Sequence, residues 1–125
     1  LCCIYSCAPF VSSELLLKAY DKLVGENFDS VFPIIAYSFP IQRALRVDQD
    51  KVSMILNENL NIRSQDLEKS FHDAGQFYWF KTRALLTSKK LLTANTGGVI
   101  ISALEAQDID TETDWKLAEL KYQLL

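Results

Sequence analysis

Cysteine and histidine are scarce in this chain, which restricts the metal and redox chemistry that it can support. Its 125 residues include 3 cysteines and 1 histidine. The cysteines, Cys2, Cys3 and Cys7, are odd in number and two are adjacent, which argues against a disulfide framework. The histidine, His72, lies far from them in the sequence, which disfavours a zinc site. We therefore interpret the three cysteines as small buried thiols in a protein of the reducing cytoplasm.

Glycine-rich motifs, a basic excess and long apolar runs are also missing. The 4 glycines include one adjacent pair, Gly97-Gly98, which is too short for a phosphate-binding loop. No Gly-x-Ser-x-Gly elbow is present, so a hydrolase triad has no local support. The 13 Lys and Arg residues are outnumbered by 16 Asp and Glu residues, which disfavours a nucleic-acid partner. Because no apolar run approaches the ~20 residues of a membrane-spanning helix, we expect no membrane partner.

The chain does have the composition of a globular α/β domain. Hydrophobic residues make up 49% and charged residues 23% of the sequence, which allows a buried core. An apolar run at 1–7, a helical pattern at 12–24 and a second apolar run at 31–37 together predict a βαβ unit. Pro33 interrupts the second run and predicts an edge strand or a bulge. The apolar start leads us to expect that further sequence precedes Leu1 and that residues 1–7, a buried strand of a larger sheet, leave apolar surface exposed.

The later segments predict a hairpin, an exposed excursion and several short elements. Residues 41–47 and 51–56 are strand-like and flank the polar turn Asp48-Gln49-Asp50, which predicts a hairpin. The polar stretch 57–65 predicts an excursion from the core. Short helices are predicted at 66–71 and 82–86, strands at 76–80 and 99–101, and a final helix at 111–124, with Thr111 and Asp114 resembling a capping box.

Two carboxylates, those of Asp108 and Asp110, form the first candidate site. In extended backbone, residues two apart point to the same side, so both carboxylates can be presented to one spot. Paired hard oxygen ligands suit Mg²⁺, which completes its shell with water and substrate phosphate. The alternative is that both carboxylates favour the N-terminus of the following helix through its dipole.

The second candidate site combines Arg63, Gln65, His72, Gln76 and Tyr78. Arg63 can hold a carboxylate through two parallel hydrogen bonds. Gln65, Gln76 and Tyr78 can recognise the hydroxyls or amides of a polar ligand. His72 can serve as a base. The alternatives are a solvated arginine, a core tyrosine and a histidine that makes only structural hydrogen bonds.

Five short motifs follow one another along nearly the whole chain. They are Tyr5-Ser6-Cys7-Ala8-Pro9-Phe10, Phe39-Pro40-Ile41-Gln42-Arg43-Ala44-Leu45, Arg63-Ser64-Gln65-Asp66-Leu67, His72-Asp73-Ala74-Gly75-Gln76-Phe77-Tyr78-Trp79 and Gln107-Asp108-Ile109-Asp110-Thr111. In this order and spacing they resemble the C-terminal half of the acylneuraminate cytidylyltransferases, the CMP-sialic acid synthetase family. The second and fourth motifs favour the branch of the pseudaminic acid cytidylyltransferases.

The resemblance implies a Rossmann-like α/β nucleotidyltransferase, a three-layer sandwich of which residues 1–125 are an incomplete, C-terminal portion. Such enzymes transfer CMP from CTP to a nine-carbon 2-keto sugar acid, here pseudaminic acid, and release pyrophosphate. By the family match, Asp108 and Asp110 hold the catalytic Mg²⁺, Tyr78 lines the sugar pocket, and Arg63 and Gln65 lie near the sugar carboxylate. The resemblance also implies a homodimer formed through residues 40–65, with part of each pocket supplied by the partner chain.

Three departures from the family pattern qualify this assignment. Ser64 stands where sialic acid synthetases commonly have arginine, and Ser6-Cys7 stand where the family has Pro-Thr. The basic, glycine-containing motif that binds the CTP triphosphate is absent, so we expect the isolated chain to be inactive and to bind CTP poorly. The alternatives are a general CMP-sialic acid synthetase and a non-catalytic remnant that dimerises or binds a sugar acid.

Overall fold

The computed structural model describes all 125 residues, which form two compact units. The first, here called the sheet unit, consists of Leu1–Ile35 and Asp73–Leu125, and the second, the hairpin unit, is Ala36–His72. The strands are β1 Cys2–Ile4, β2 Ser30–Ala36, β3 Leu45–Asp48, β4 Lys51–Met54, β5 Phe71–Asp73, β6 Phe77–Phe80 and β7 Thr96–Ile100, and the helices are α1 Ser13–Gly25, α2 Thr82–Ser88 and α3 Glu112–Tyr122. The predicted mixed α/β class is confirmed. None of the helices has the length and apolar character needed to span a bilayer.

The main sheet has five strands in the order β1-β6-β2-β5, with β7 paired to β2. β6 is antiparallel to both β1 and β2, so these two strands run in the same direction with β6 between them. β7 is parallel to β2, in a register that pairs Phe32 with Gly98. The predicted βαβ unit is therefore present, but the antiparallel β6 is inserted between its two strands.

Helix α1 covers the sheet because its apolar residues recur every four positions. Ser12 caps the helix by accepting a hydrogen bond from the backbone N–H of Leu15 at 3.2 Å. Leu15, Ala19 and Leu23 are buried against the core of the sheet unit. The indole N–H of Trp79 in β6 donates to the carbonyl of Leu16 at 3.0 Å, which fixes this strand under the helix.

Strand β1 is shorter and more exposed than the predicted buried strand at 1–7. It has one neighbour in the sheet, β6, and lies at the end of the strand order. Leu1 and Ile4 are 68% and 52% exposed, which confirms the expected apolar surface along this segment. Cys2 packs partly against the core, whereas Cys3 and Cys7 are exposed, so the prediction that all three thiols are buried is wrong.

Pro33 does not lie on an edge strand, because β2 is paired on both sides. Its carbonyl accepts a hydrogen bond from the N–H of Ala74 at 3.1 Å, whereas the carbonyl of Ile34 accepts one from Ile101 at 3.0 Å. The missing N–H of Pro33 therefore faces the short connection between β5 and β6, where the neighbouring strand is interrupted. A proline can occupy a central strand at such a break, because no ladder hydrogen bond is lost.

The hairpin unit contains the predicted hairpin of β3 and β4. The strands are antiparallel, and Val47 pairs with Val52. Gln49 and Asp50 both have positive φ angles, 46° and 63°, as the two central residues of a type I′ turn require. Two other predictions for this region are wrong. Residues Ile41–Arg43 form a 3₁₀ turn instead of strand, and the helix predicted at 66–71 is a 3₁₀ turn at Ser64–Asp66 followed by β5.

Candidate functional site

A tight connection between β5 and β6 organises the sheet-unit part of the candidate site. Asp73 ends β5, and its Oδ1 accepts the backbone N–H of Gly75 at 2.8 Å. This side-chain-to-backbone contact is the usual stabiliser of an Asx turn. Gly75 has a φ of +64°, which glycine adopts without steric cost. The turn separates β5 from β6, and both strands pair with β2.

Tyr78 lies within β6 and is held from three directions. Its hydroxyl donates to Oδ2 of Asp73 at 2.6 Å. Its ring packs against the rings of Tyr5 and Phe32, with centroid separations of 5.3 Å in each case. Burial raises the pKa of Tyr78 well above its ordinary value, with further contributions from the hydrogen bond to Asp73 and from Tyr5. The phenol therefore stays protonated, and its proton is engaged by Asp73.

Gln76 is enclosed by the protein and is only 1% exposed. Its Nε2 donates to the backbone carbonyl of Glu105 at 2.5 Å, while its Oε1 is buried without a hydrogen-bond partner. Glu105 ends the 3₁₀ turn Ala103–Glu105, three residues before Asp108. The amide of Gln76 thus ties the β5–β6 turn to the segment that carries the two candidate carboxylates.

Asp108 lies beside the β5–β6 turn. A Cβ atom built on Gly75 would stand 3.7 Å from Oδ2 of Asp108, so the carboxylate faces the glycine at van der Waals distance. Asp108 and Asp110 are both exposed. Ile109 and Asp110 also help to line an open cavity of about 370 Å³ at the start of α3.

The neighbouring Asp114 is not available as a third ligand because it caps α3. Its carboxylate accepts hydrogen bonds from the N–H and Oγ1 of Thr111, at 2.9 and 2.7 Å, and from the N–H of Asp110 at 3.3 Å. The hydrogen bonds from Thr111 lower the pKa of this carboxyl. The predicted capping box is confirmed.

The donor set fits Mg²⁺ better than a metal that needs a complete protein cage. No group of three or more metal-binding side chains occurs in the structure. Mg²⁺ is commonly held by one or two carboxylates and completes its shell with water and substrate phosphate. Asp108 and Asp110 could supply this arrangement. The first turn of α3 also carries Glu112 and Asp114, so the alternative in which acidic residues favour this helix N-terminus stands beside the metal interpretation.

Three of the predicted ligand-binding residues lie in the hairpin unit. Arg63 is exposed and immediately precedes the 3₁₀ turn Ser64–Asp66. Gln65 is exposed and lines a cavity of about 290 Å³ within this unit, together with Tyr37, Ser38, Phe39, Pro40, Ser64, Leu67, Glu68, Lys69 and Ser70. His72 is exposed, and its ring lies 4.9 Å from that of Tyr37. Gln76, Tyr78, Asp108 and Asp110 belong to the sheet unit.

Two contacts in the candidate site were missed by the sequence analysis. Asp73 had no assigned role, although the Asp-Ala-Gly sequence is a turn signal that could have drawn attention to it. In the hairpin unit, the guanidinium of Arg43 donates to Oγ of Ser64 at 3.3 Å. This contact brings a guanidinium to Ser64.

Comparison with known proteins identifies relatives for nearly the whole chain. No protein-family model matches it. Two pseudaminic acid cytidylyltransferases of Campylobacter jejuni, from serotypes O:2 and O:23/36, are each 30% identical over 125 residues, which is 99% of this chain and 54% of theirs. A Helicobacter pylori protein, named pseudaminic acid cytidylyltransferase and UDP-2,4-diacetamido-2,4,6-trideoxy-beta-L-altropyranose hydrolase, is 28% identical over 123 residues, covering 98% of this chain and 24% of that protein.

The chain spans about half the length of the Campylobacter relatives that it matches. The resemblance predicted from the five motifs is confirmed: over almost its whole length the chain is similar to pseudaminic acid cytidylyltransferases.

Proposed function

We propose that the protein containing this chain transfers CMP from CTP to pseudaminic acid and releases pyrophosphate. This chain supplies the sugar-binding and metal-binding side of the reaction. The observation that carries the proposal is the approach of Asp108 to Gly75, in the same turn from which Asp73 holds Tyr78. Asp108 and the Asp73–Tyr78 contact both adjoin the β5–β6 turn, which supports the proposal that a metal ligand and a sugar contact belong to one site. The names of the relatives support the choice of pseudaminic acid as the acceptor.

In the proposed reaction, the anomeric hydroxyl oxygen of the sugar acid forms a bond to the α-phosphorus of CTP. The bond from this phosphorus to the pyrophosphate oxygen breaks, and the hydroxyl proton is released to solvent. Asp108 and Asp110 are the proposed Mg²⁺ ligands, and the bound metal would offset negative charge on the phosphates. Tyr78 contacts the sugar, while Arg63 and Gln65 are assigned to its carboxylate by the resemblance. Catalysis then depends on orientation and electrostatics, and no covalent enzyme intermediate is required.

We also propose that the hairpin unit forms a homodimer through residues 40–65. The side chains of β3 and β4 are exposed, apart from the half-buried Met54. An isolated two-stranded hairpin is marginally stable in water, so a partner surface would stabilise it. Eight large apolar side chains of residues 40–65 are exposed: Ile41, Leu45, Val47, Val52, Ile55, Leu56, Leu60 and Ile62.

Pyrophosphate release tests the proposed reaction directly. The protein expressed from its complete reading frame should release pyrophosphate from CTP when it is given pseudaminic acid and Mg²⁺. N-acetylneuraminic acid serves as the matched acceptor, and a preference for it would favour a general CMP-sialic acid synthetase instead. Asp108→Ala should abolish turnover, whereas Asp21→Ala on the exposed side of α1 should not change it. Normal turnover by Asp108→Ala would refute the metal assignment, and no turnover with either acceptor would favour the non-catalytic alternative.

A further inference from the structure

We infer that Asp73 is a positioning residue that fixes the Tyr78 hydroxyl as a hydrogen-bond acceptor towards the ligand. The phenol oxygen of Tyr78 then accepts a hydrogen bond from a hydroxyl or amide N–H of the sugar acid. The carboxylate of the sugar acid is disfavoured at this position. The inference rests on the proposed function for the identity of the ligand, but the contact between Asp73 and Tyr78 does not depend on it. Asp73 itself touches neither metal nor substrate in this account.

Both oxygens of the Asp73 carboxylate are used within the sheet unit. Oδ1 accepts the N–H of Gly75 at 2.8 Å, and Oδ2 accepts the hydroxyl of Tyr78 at 2.6 Å. One donor belongs to the turn and the other to β6, so the two bonds together fix the orientation of the carboxylate. A hydrogen bond from a hydroxyl to an ionised carboxylate is short and roughly twice as strong as one between neutral groups.

A tyrosine hydroxyl has one proton, which decides what Tyr78 can offer to a ligand. That proton is directed at Asp73, and the hydroxyl also takes part in a side-chain hydrogen bond with Tyr5, so what remains for a ligand is a lone pair of the phenol oxygen. Burial and the contact with Asp73 keep the pKa of Tyr78 high, so the phenol does not lose the proton near neutral pH. Ring contacts with Tyr5 and Phe32 limit the movement of the phenol.

Because the Tyr78 hydroxyl can only accept a hydrogen bond from the ligand, it determines which part of the ligand can lie against it. A ligand hydroxyl or amide N–H would donate to the phenol oxygen. A ligand carboxylate would find no proton there and would approach the negative charge of Asp73, which lies directly behind the phenol. The sugar acid is therefore oriented with its hydroxyl or amide groups towards Tyr78 and its carboxylate elsewhere.

Asp73→Asn tests this inference because it keeps the size of the side chain and changes its hydrogen bonding. Gly75 and Tyr78 donate to different oxygens of Asp73, and asparagine has an NH₂ donor in place of one of them, so in the same orientation it accepts from only one of the two. If it accepts from Gly75, its NH₂ faces the phenol, and Tyr78 must direct its own proton towards the ligand. Asp21→Asn on α1 is the matched control.

The first readout is the ¹³Cζ NMR signal of tyrosine in the ligand-free chain. The chain has 5 tyrosines, and Tyr78→Phe identifies the signal that belongs to Tyr78. In the unmodified chain this signal should keep its neutral-phenol position at a pH where exposed tyrosines, with a pKa of about 10, have ionised. In Asp73→Asn it should shift at neutral pH and ionise at a lower pH. An unchanged Tyr78 signal would overturn the inference.

The second readout is the affinity for pseudaminic acid, measured by isothermal titration calorimetry. Asp73→Asn should weaken binding by about tenfold or more, Tyr78→Phe should do the same, and the double variant should lose little beyond either single one. Unchanged affinity in Asp73→Asn would overturn the ligand part of the inference. If the NMR signal shifts but the unmodified chain does not bind pseudaminic acid, the Asp73–Tyr78 contact stands and the proposed function fails.

Discussion

At the scale of single residues, Gln76 shows how a polar side chain can serve the candidate site from inside the protein. The sequence predicts that Gln76 recognises a ligand, whereas in the structure its amide donates to the carbonyl of Glu105. This contact joins the β5–β6 turn to the segment leading to Asp108. We therefore expect the position of Asp108 relative to Gly75 to depend on Gln76.

Gln76→Ala should lower the free energy of unfolding by about 2 kcal/mol, because it removes a buried hydrogen bond and leaves the Glu105 carbonyl unsatisfied. Chemical denaturation followed by circular dichroism measures this difference. The control is Gln123→Ala at the exposed end of α3, which should be neutral within about 0.5 kcal/mol. Equal stability of the two variants would show that the Gln76–Glu105 contact does not stabilise the fold.

At the scale of elements, the sequence best predicts those helices and strands whose signals lie in residues close together in the sequence. Helix α3 followed from Thr111 and Asp114, and the β3–β4 hairpin followed from two strand-like runs around a polar turn. The position of Pro33 in a central strand was not predictable, because it depends on where β5 gives way to β6. That break is a tertiary feature, and the local preference of proline for edges carries no information about it.

The N-terminus of α3 offers a test of these local signals. Thr111→Ala removes the side-chain oxygen that accepts from the N–H of Asp114, and it should destabilise the protein by about 1 kcal/mol. The matched change is Thr113→Ala, at the exposed second residue of the helix, which should have little effect or slightly favour the helix. Thermal unfolding of both variants measures the difference, and a greater loss in Thr113→Ala would contradict the capping role.

At the scale of the whole molecule, the candidate site could be predicted in its residue types but not in its arrangement. The two-residue spacing of Asp108 and Asp110 is enough to predict a metal site, but it does not predict which residues surround that site. The Asp73–Tyr78 contact depends on a turn that pairs β5 and β6 with the same strand, and the Asp108–Gly75 approach joins residues far apart in sequence. The Asp-Ala-Gly sequence indicates a turn at Asp73, but no local pattern indicates the hydrogen bond to Tyr78 or the approach of Asp108 to Gly75.

The proposed dimer gives a prediction at this same scale. Val47→Lys together with Val52→Lys places two charges at a cross-strand pair of the exposed hairpin. The double variant should sediment as a monomer under conditions where the unmodified chain is a dimer, because burying unpaired charges at an interface is costly. Leu86→Lys, on an exposed position of α2, is the control and should leave the assembly unchanged. A dimer that persists in the double variant would exclude this face as the interface.

The central claim is that this chain contains the sugar-acid site of a cytidylyltransferase. Isothermal titration calorimetry of the 125-residue chain, with pseudaminic acid and with CTP in separate experiments in the presence of Mg²⁺, tests it most directly. The account predicts saturable binding of pseudaminic acid and weak or undetectable binding of CTP. Tight binding of CTP together with no binding of pseudaminic acid would contradict it.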